Sequence, residues 1–191
     1  MTMTVNAGNV PASSWIQDKE VGGGRIVGEG CHFIDVFRFL AGSRIVSVSA
    51  RCVQNSPNQV NEDKVAVVID FEDGSVATLS YFANGHKSYP KEKLQVFCDG
   101  KVLDMDNYRS LDGYGCTGFK KRKLWRQDKG HREEIVKFIE RVEKGGEPLI
   151  PYDVIEEVTL ATFAAMRSMR SGGERVALGT MRHELNALGP I

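Results

Sequence analysis

The stretch Lys64-Val65-Ala66-Val67-Val68-Ile69-Asp70-Phe71-Glu72-Asp73-Gly74-Ser75-Val76-Ala77-Thr78-Leu79-Ser80-Tyr81-Phe82 decides the fold class. Its first eight residues are rich in Val and Ile, whose branched side chains fit a pleated surface. Glu72-Asp73-Gly74-Ser75 interrupts the run, and Asp-Gly is a strong hairpin signal because it tolerates the left-handed backbone of a tight turn. Residues 75–82 return as the partner strand. The unit is a hairpin, not a strand followed by a crossover helix.

The same reading extends outward. Residues 45–53 are β-rich. Residues 94–98 form a strand, Asp99-Gly100 a second tight turn, and 101–105 the returning strand; 119–125 reads as one more. On the N-terminal side, 26–40 turns helical, with Ile26, Cys31, Phe33, Ile34, Val36, Phe37, Phe39 and Leu40 as a wide apolar surface and Ala41-Gly42 as its stop. On the C-terminal side, 132–144 carries Ile135, Val136, Phe138, Ile139 and Val142 and ends at Gly145-Gly146. Pro151 starts a helix over 151–170, since proline suits a first turn. A short strand at 175–178 follows, and the tail from Gly179 shows no pattern. Residues 1–24 read as an extended lead-in, Thr4-Val5-Asn6-Ala7, then a loop rich in Pro, Ser and Gly. A strand so near the first Met resembles a cut edge. The expectation is one α+β domain over 1–191, with its core at about 4–178: a mostly antiparallel sheet, helices packed on one face, and the other face open for oligomer contact.

Bulk properties narrow the function classes. Lys+Arg and Asp+Glu both total 25, so the 191-residue chain carries no net charge and gives no global electrostatic case for nucleic acid or an anionic membrane. Hydrophobic residues at 41% support a real core. No apolar run approaches the roughly 20 residues of a membrane span, and the N-terminus lacks a signal-peptide pattern. Cys31, Cys52, Cys98 and Cys116 form no Cys-x-x-Cys pair and read as reduced thiols of a cytoplasmic protein. Scattered cysteines, with only Cys31 and His32 adjacent, do not match zinc-ligand spacings.

The chemically informative stretch is Gly22-Gly23-Gly24-Arg25-Ile26-Val27-Gly28-Glu29-Gly30-Cys31-His32-Phe33-Ile34-Asp35. A glycine run leads into a helix, where backbone can approach a ligand closely and unpaired N–H groups leave a positive end. Gly28 and His32, four apart, would share one helix face. The stretch resembles the second-domain motif of the Gfo/Idh/MocA oxidoreductases, which runs from a Gly-rich segment to an Asp, a His four residues later and an Asp three further on. Gly22-Gly23-Gly24, His32 and Asp35 match; Gly28, with Glu29 beside it, stands where the first Asp belongs. The variant resembles a subgroup in which this domain follows a zinc-alcohol-dehydrogenase-like segment in a longer chain. Val5-Asn6-Ala7-Gly8, Tyr89-Pro90-Lys91-Glu92-Lys93-Leu94, Asp128-Lys129-Gly130-His131 and Ala165-Met166-Arg167-Ser168 are similar to further landmarks of that family.

The resemblance implies a substrate-binding and oligomerisation domain of an NAD(P)-dependent dehydrogenase acting on a sugar, inositol or nucleotide-sugar hydroxyl, incomplete as a catalyst alone and paired as a homodimer. By that resemblance His32 relays a proton at the substrate carbon with Glu29 as candidate partner, and Gly23, Gly24, Arg25, Asp35, Lys129 and His131 line the substrate site. A histidine suits proton transfer near neutral pH. The family's Rossmann half is expected to lie outside this chain, so no cofactor is expected to bind here and NAD or NADP belongs to the longer enzyme. Gly113-Tyr114-Gly115-Cys116-Thr117-Gly118 spells Gly-x-Gly-x-x-Gly, but Phe119-Lys120-Lys121-Arg122-Lys123-Leu124-Trp125 follows rather than a helix, so it is not read as a dinucleotide fingerprint. The basic run at 120–123 reads as a lysine-protected edge strand, with contacts to substrate phosphates as a further option. His86 and His183 carry no signal. The competing reading is a non-catalytic binding or assembly module of the same fold, consistent with Gly28 in place of the Asp.

Overall fold

A computed structural model describes residues 1–18, 20–53 and 62–187. Among these residues nine strands form one sheet: β1 Thr2–Asn6, β2 Ile45–Cys52, β3 Lys64–Phe71, β4 Val76–Phe82, β5 Glu92–Cys98, β6 Lys101–Asp106, β7 Ser110–Tyr114, β8 Lys121–Lys123 and β9 Val176–Ala177. Their order is β8-β7-β6-β5-β1-β4-β3-β2-β9. Each neighbouring pair is antiparallel except β1 and β4, which run parallel with Val5 opposite Tyr81. The first strand of the chain therefore sits at the middle of the sheet, joining the β2–β4 half to the β5–β8 half. Both expected Asp-Gly turns form: Gly74 and the Asp99-Gly100 pair take positive φ.

Strand alternation puts one face in the core. Met3, Val5, Val65, Val67, Ile69, Leu79 and Tyr81 point into it, while their neighbours in each strand face outward. The helix α1 (Cys31–Ala41) buries Phe33, Ile34 and Phe37 there and stops at Gly42, whose φ of 62° closes the helix with an N–H bond to the Arg38 carbonyl. The helix α3 (Tyr152–Arg170) lies over β2 with Ala161, Ala164 and Ala165 fully buried; small side chains bring its backbone close to the sheet. Because β9 pairs only with Ser47 and Val48, the next edge N–H, that of Ala50, is taken by the Ser168 hydroxyl of α3 at 2.8 Å. The strand expected at 175–178 shortens to β9, and Leu178 with the patternless residues from Gly179 forms α4 (Leu178–Ala187).

Two features depart from expectation. The strand expected over 119–125 shortens to Lys121–Lys123, and β7 arises inside the glycine-patterned stretch before it. The helix α2 (His131–Lys144) does not pack on the sheet like the others: none of its residues is buried, and Ile135, Val136, Phe138, Ile139 and Val142 face outward. It starts at Gly130, in the left-handed region, and ends at Gly145.

Candidate active-site cleft

The glycine run is used first for the chain's own geometry. The Asp18 carbonyl accepts the N–H groups of Gly22 and Gly23, and a Cβ on Gly22 would stand 2.3 Å from the Trp15 carbonyl oxygen. Gly23 and Gly24 take φ of 66° and 84°, which other residues rarely adopt. The run turns into a single π-helical turn, Ile26–Gly30, before α1 begins. A π turn is wider than an α turn, so the four-residue α spacing expected to stack Gly28 on His32 does not carry over. Gly28 is open: a Cβ there meets nothing within 4 Å. Gly28→Ala is expected to stabilise the fold by about 0.5–1 kcal/mol through backbone entropy, measured as a rise in the urea midpoint.

Arg25 is buried and binds in three directions. Its guanidinium donates to the carbonyls of Gly8 (2.6 Å) and Ala7 (3.1 Å), just past β1, and to the Glu29 carboxylate (2.6 Å). It also lies 5.5 Å from the centre of the Tyr81 ring. Glu29 accepts two further bonds, from the Tyr81 hydroxyl at 2.6 Å and from Lys91 Nζ at 2.8 Å. Burial works against ionisation of Glu29, but the bonds from Lys91, Tyr81 and Arg25 outweigh it and hold its carboxyl down at about 2. Burial and the Glu29 charge push the Tyr81 hydroxyl well above its usual range.

A second ion pair stands across the cleft. Glu92, at the start of β5, is 2% exposed, and Lys129 Nζ lies 2.8 Å from both its oxygens. The contact has hydrogen-bond geometry at Oε1 and is a bare charge contact at Oε2. The same ammonium lies 5.4 Å from the Tyr108 ring centre. Between the two ion networks opens a cleft of about 560 Å³ lined by Glu29, His32, Phe33, Val36, Lys91, Glu92, Tyr108, Lys129, His131 and Glu134. His32 is exposed into it from the first turn of α1, without a hydrogen-bond partner among the described residues. Asp35, one turn on, is half-buried; burial pushes its carboxyl up against the opposing charges of His32 and Arg38. His131 and Glu134 contribute from the exposed first turn of α2.

Of the eight residues singled out by sequence, the cleft gathers Glu29, His32, Lys129 and His131. Arg25 sits behind Glu29, and Gly23, Gly24 and Asp35 stand outside the lining. Lys91, Glu92 and Tyr108 were missed as site residues, although Lys91 and Glu92 fall in one of the quoted landmarks. For Lys91 and Glu92 the signal was charge at the head of a strand; Tyr108, in the turn between β6 and β7, offered none.

The profile of the GFO/IDH/MocA C-terminal domain matches residues 1–103, more than half of the chain. The chain belongs to this family. A search of curated proteins gives no match. Three solved structures illustrate the likeness of fold. The aldose-aldose oxidoreductase of Caulobacter crescentus, complexed with glycerol, is 19% identical with a TM-score of 0.71, over 92% of this chain and 55% of that one. The UDP-N-acetylglucosamine 3-dehydrogenase of Acidithiobacillus ferrooxidans is 16% identical with a TM-score of 0.70, over 89% and 53%. An oxidoreductase of Agrobacterium radiobacter, in complex with NAD+, L-tartaric acid and magnesium, is 18% identical with a TM-score of 0.69, over 94% and 56%. This GFO/IDH/MocA C-terminal domain spans 53–56% of the length of the first solved structures it resembles.

In this GFO/IDH/MocA domain the Gly-x-Gly-x-x-Gly stretch at 113–118 lacks the strand-to-helix setting of a dinucleotide fingerprint. Gly113 lies within β7 opposite Leu103, where a Cβ would strike the Phe119 ring at 2.6 Å. Gly115 and Gly118 serve the turn toward β8, so the Gly-x-Gly-x-x-Gly stretch closes a hairpin instead of opening a helix. Among the described residues, no three His, Cys, Asp or Glu side chains group as metal ligands, and no helix is long and apolar enough to cross a membrane.

Proposed function

We propose that this chain is the substrate-side half of an NAD(P)-dependent oxidoreductase acting on a hydroxyl of a sugar, inositol or nucleotide sugar. The observation that carries the reading is the cleft, which brings His32, Lys129 and His131 together from two stretches about a hundred residues apart. His32 takes the proton of the substrate hydroxyl; its ring faces the cleft and has no hydrogen-bond partner among the described residues. Lys129, pinned by buried Glu92, keeps donors for a substrate oxygen. Glu29, already ionised and saturated by three donors, holds Lys91 at the rim and positions rather than transfers protons. Gly23 and Gly24 shape the approach, Arg25 supports the Glu29 side chain, and Asp35 stands one turn from His32 on α1. The hydride acceptor has to come from the half that the longer solved structures carry beyond this span. The chain itself forms one domain of a cytoplasmic protein, its four cysteines free. It pairs with a second copy through the open sheet face, where Val68, Val76 and Phe97 are exposed. Its glycine-substituted motif favours the branch that follows a zinc-alcohol-dehydrogenase-like segment.

A second reading, a binding or assembly module without redox chemistry, is favoured by Gly28 in the Asp position and by the full occupation of Glu29. Two measurements separate the readings. NADH titrated into the isolated chain, followed by nicotinamide fluorescence, is expected to show no saturable binding. With a cofactor-binding half supplied by fusion or in trans, turnover is expected, and His32→Ala should lower kcat about 10²–10⁴-fold. Turnover that His32→Ala leaves unchanged would argue against the first reading.

A further inference from the structure

Beside the His32 cleft lies a second cavity, of about 460 Å³, on the stretch of sheet that α1 and α3 leave uncovered. Tyr108 lines both. Met105, Leu111 and Leu124 give the lining an apolar part, and its charged residues include Arg109 and Arg122. Arg122 stands opposite Leu111, and the Arg109 carbonyl accepts the Leu124 N–H. The two arginines are thus diagonal neighbours across one ladder, with Cα atoms about 7–8 Å apart, a separation two guanidinium forks can close on one phosphoryl or diphosphate group.

Their charges are not used within the fold. Neither guanidinium has an ion pair or hydrogen bond with another described residue, whereas neighbouring Lys121, on the opposite face of β8, is paired with Asp112 at 2.9 Å. Of the two carboxylates at the cavity, Asp128 is turned to the Gly130 N–H at the start of α2, and Glu133 lies on the exposed first turn of that helix. The turn that places Tyr108 is itself unusual. Asn107 and Tyr108 take φ of 53° and 51°, and the Arg109 N–H closes the turn on the Asp106 carbonyl at 2.9 Å. A left-handed tyrosine is a costly choice in a hairpin where glycine would serve. Here it stands the ring between the two cavities and sets Arg109 at the edge of the second.

We propose that this second cavity is a subsite for a phosphoryl-bearing arm of the substrate, with Arg109 and Arg122 taking the phosphoryl oxygens and Tyr108 dividing the arm from the ring in the His32 cleft. The assignment rests on the substrate-side reading above, but its test does not need turnover. Uridine diphosphate and inorganic pyrophosphate are titrated separately into the purified chain by calorimetry. Saturable binding of either at sub-millimolar concentration is expected, weakened at least tenfold in Arg109→Gln and in Arg122→Gln and unchanged in His32→Ala. Both arginines are exposed, so the variants should melt with the parent chain. Absence of saturable binding overturns the proposal, as does binding that both arginine variants leave intact. NADH binding with the same arginine dependence also overturns it, because the cavity would then serve a dinucleotide. Arginine-dependent diphosphate binding, alongside turnover insensitive to His32→Ala, would keep the subsite and remove only the catalytic reading.

Discussion

Glu157→Ala is expected to lower the stability of the fold by about 3–5 kcal/mol, read from urea denaturation at neutral pH. Glu157 is 5% exposed in α3 and accepts two hydrogen bonds at one oxygen: from Arg38 Nε of α1 at 2.8 Å and from the Ile45 N–H at the start of β2 at 2.6 Å. Removing the carboxylate leaves a guanidinium that is only 14% exposed without its partner, and a buried N–H without an acceptor. Both penalties fall on the junction of three elements. Glu157→Gln keeps an acceptor for the N–H and loses only the charge, so its cost should be clearly smaller. Equal losses in the two variants would show that the carboxylate charge, not the hydrogen bonds, carries the effect.

The second large effect belongs to Glu29. Glu29→Ala leaves Arg25, which is 7% exposed, without its counter-charge and the Tyr81 hydroxyl without its acceptor, and should cost about 3 kcal/mol at pH 7. The cost should depend on acidity in a definite direction. The folded-state value of Glu29 is about 2, below its ordinary 4.5. A depressed carboxyl contributes stability that is complete above the ordinary value and is lost as the pH falls toward the folded one. The parent chain should therefore lose most of this contribution between pH 4.5 and pH 2, and the difference between parent and Glu29→Ala should shrink over the same interval. A gap that stays constant from pH 7 down to about pH 3 would rule out the ionised Glu29 as the origin of the effect.

Legibility from sequence followed the range of the forces involved. The hairpins at Asp73-Gly74 and Asp99-Gly100 were readable because the turn chemistry is local, and α1 because its apolar spacing and Gly42 stop are local. β7 was not, since Ser110-Leu111-Asp112-Gly113-Tyr114 has little strand propensity of its own and owes its form to pairing with β6. The parallel contact of β1 with β4 joins residues more than seventy apart and has no local signature. The α4 helix begins on Leu178-Gly179-Thr180, a poor helical start that tertiary contact overrides. In the site, His32, Lys129 and His131 were reached through resemblance. Glu92 was not, because Lys91-Glu92-Lys93 reads as a solvated run until Lys129, 37 residues on, supplies the partner that makes its burial tolerable. The exposed position of α2 was not legible for the converse reason: periodicity shows that a helix has an apolar side, not what that side meets.

That standing-off of α2 has a consequence for how the chain holds together in time. Fourteen residues is close to the length at which a helix alone in water is marginal, and α2 adds no buried side chain to the cooperative core. Its helix–coil balance is therefore set apart from the melting of the sheet, and local opening of α2 costs far less than global unfolding. His131 and Glu134 ride on its first turn, so one wall of the His32 cleft is as ordered as α2 itself, while the opposite wall, built on β5 and α1, is as ordered as the whole fold.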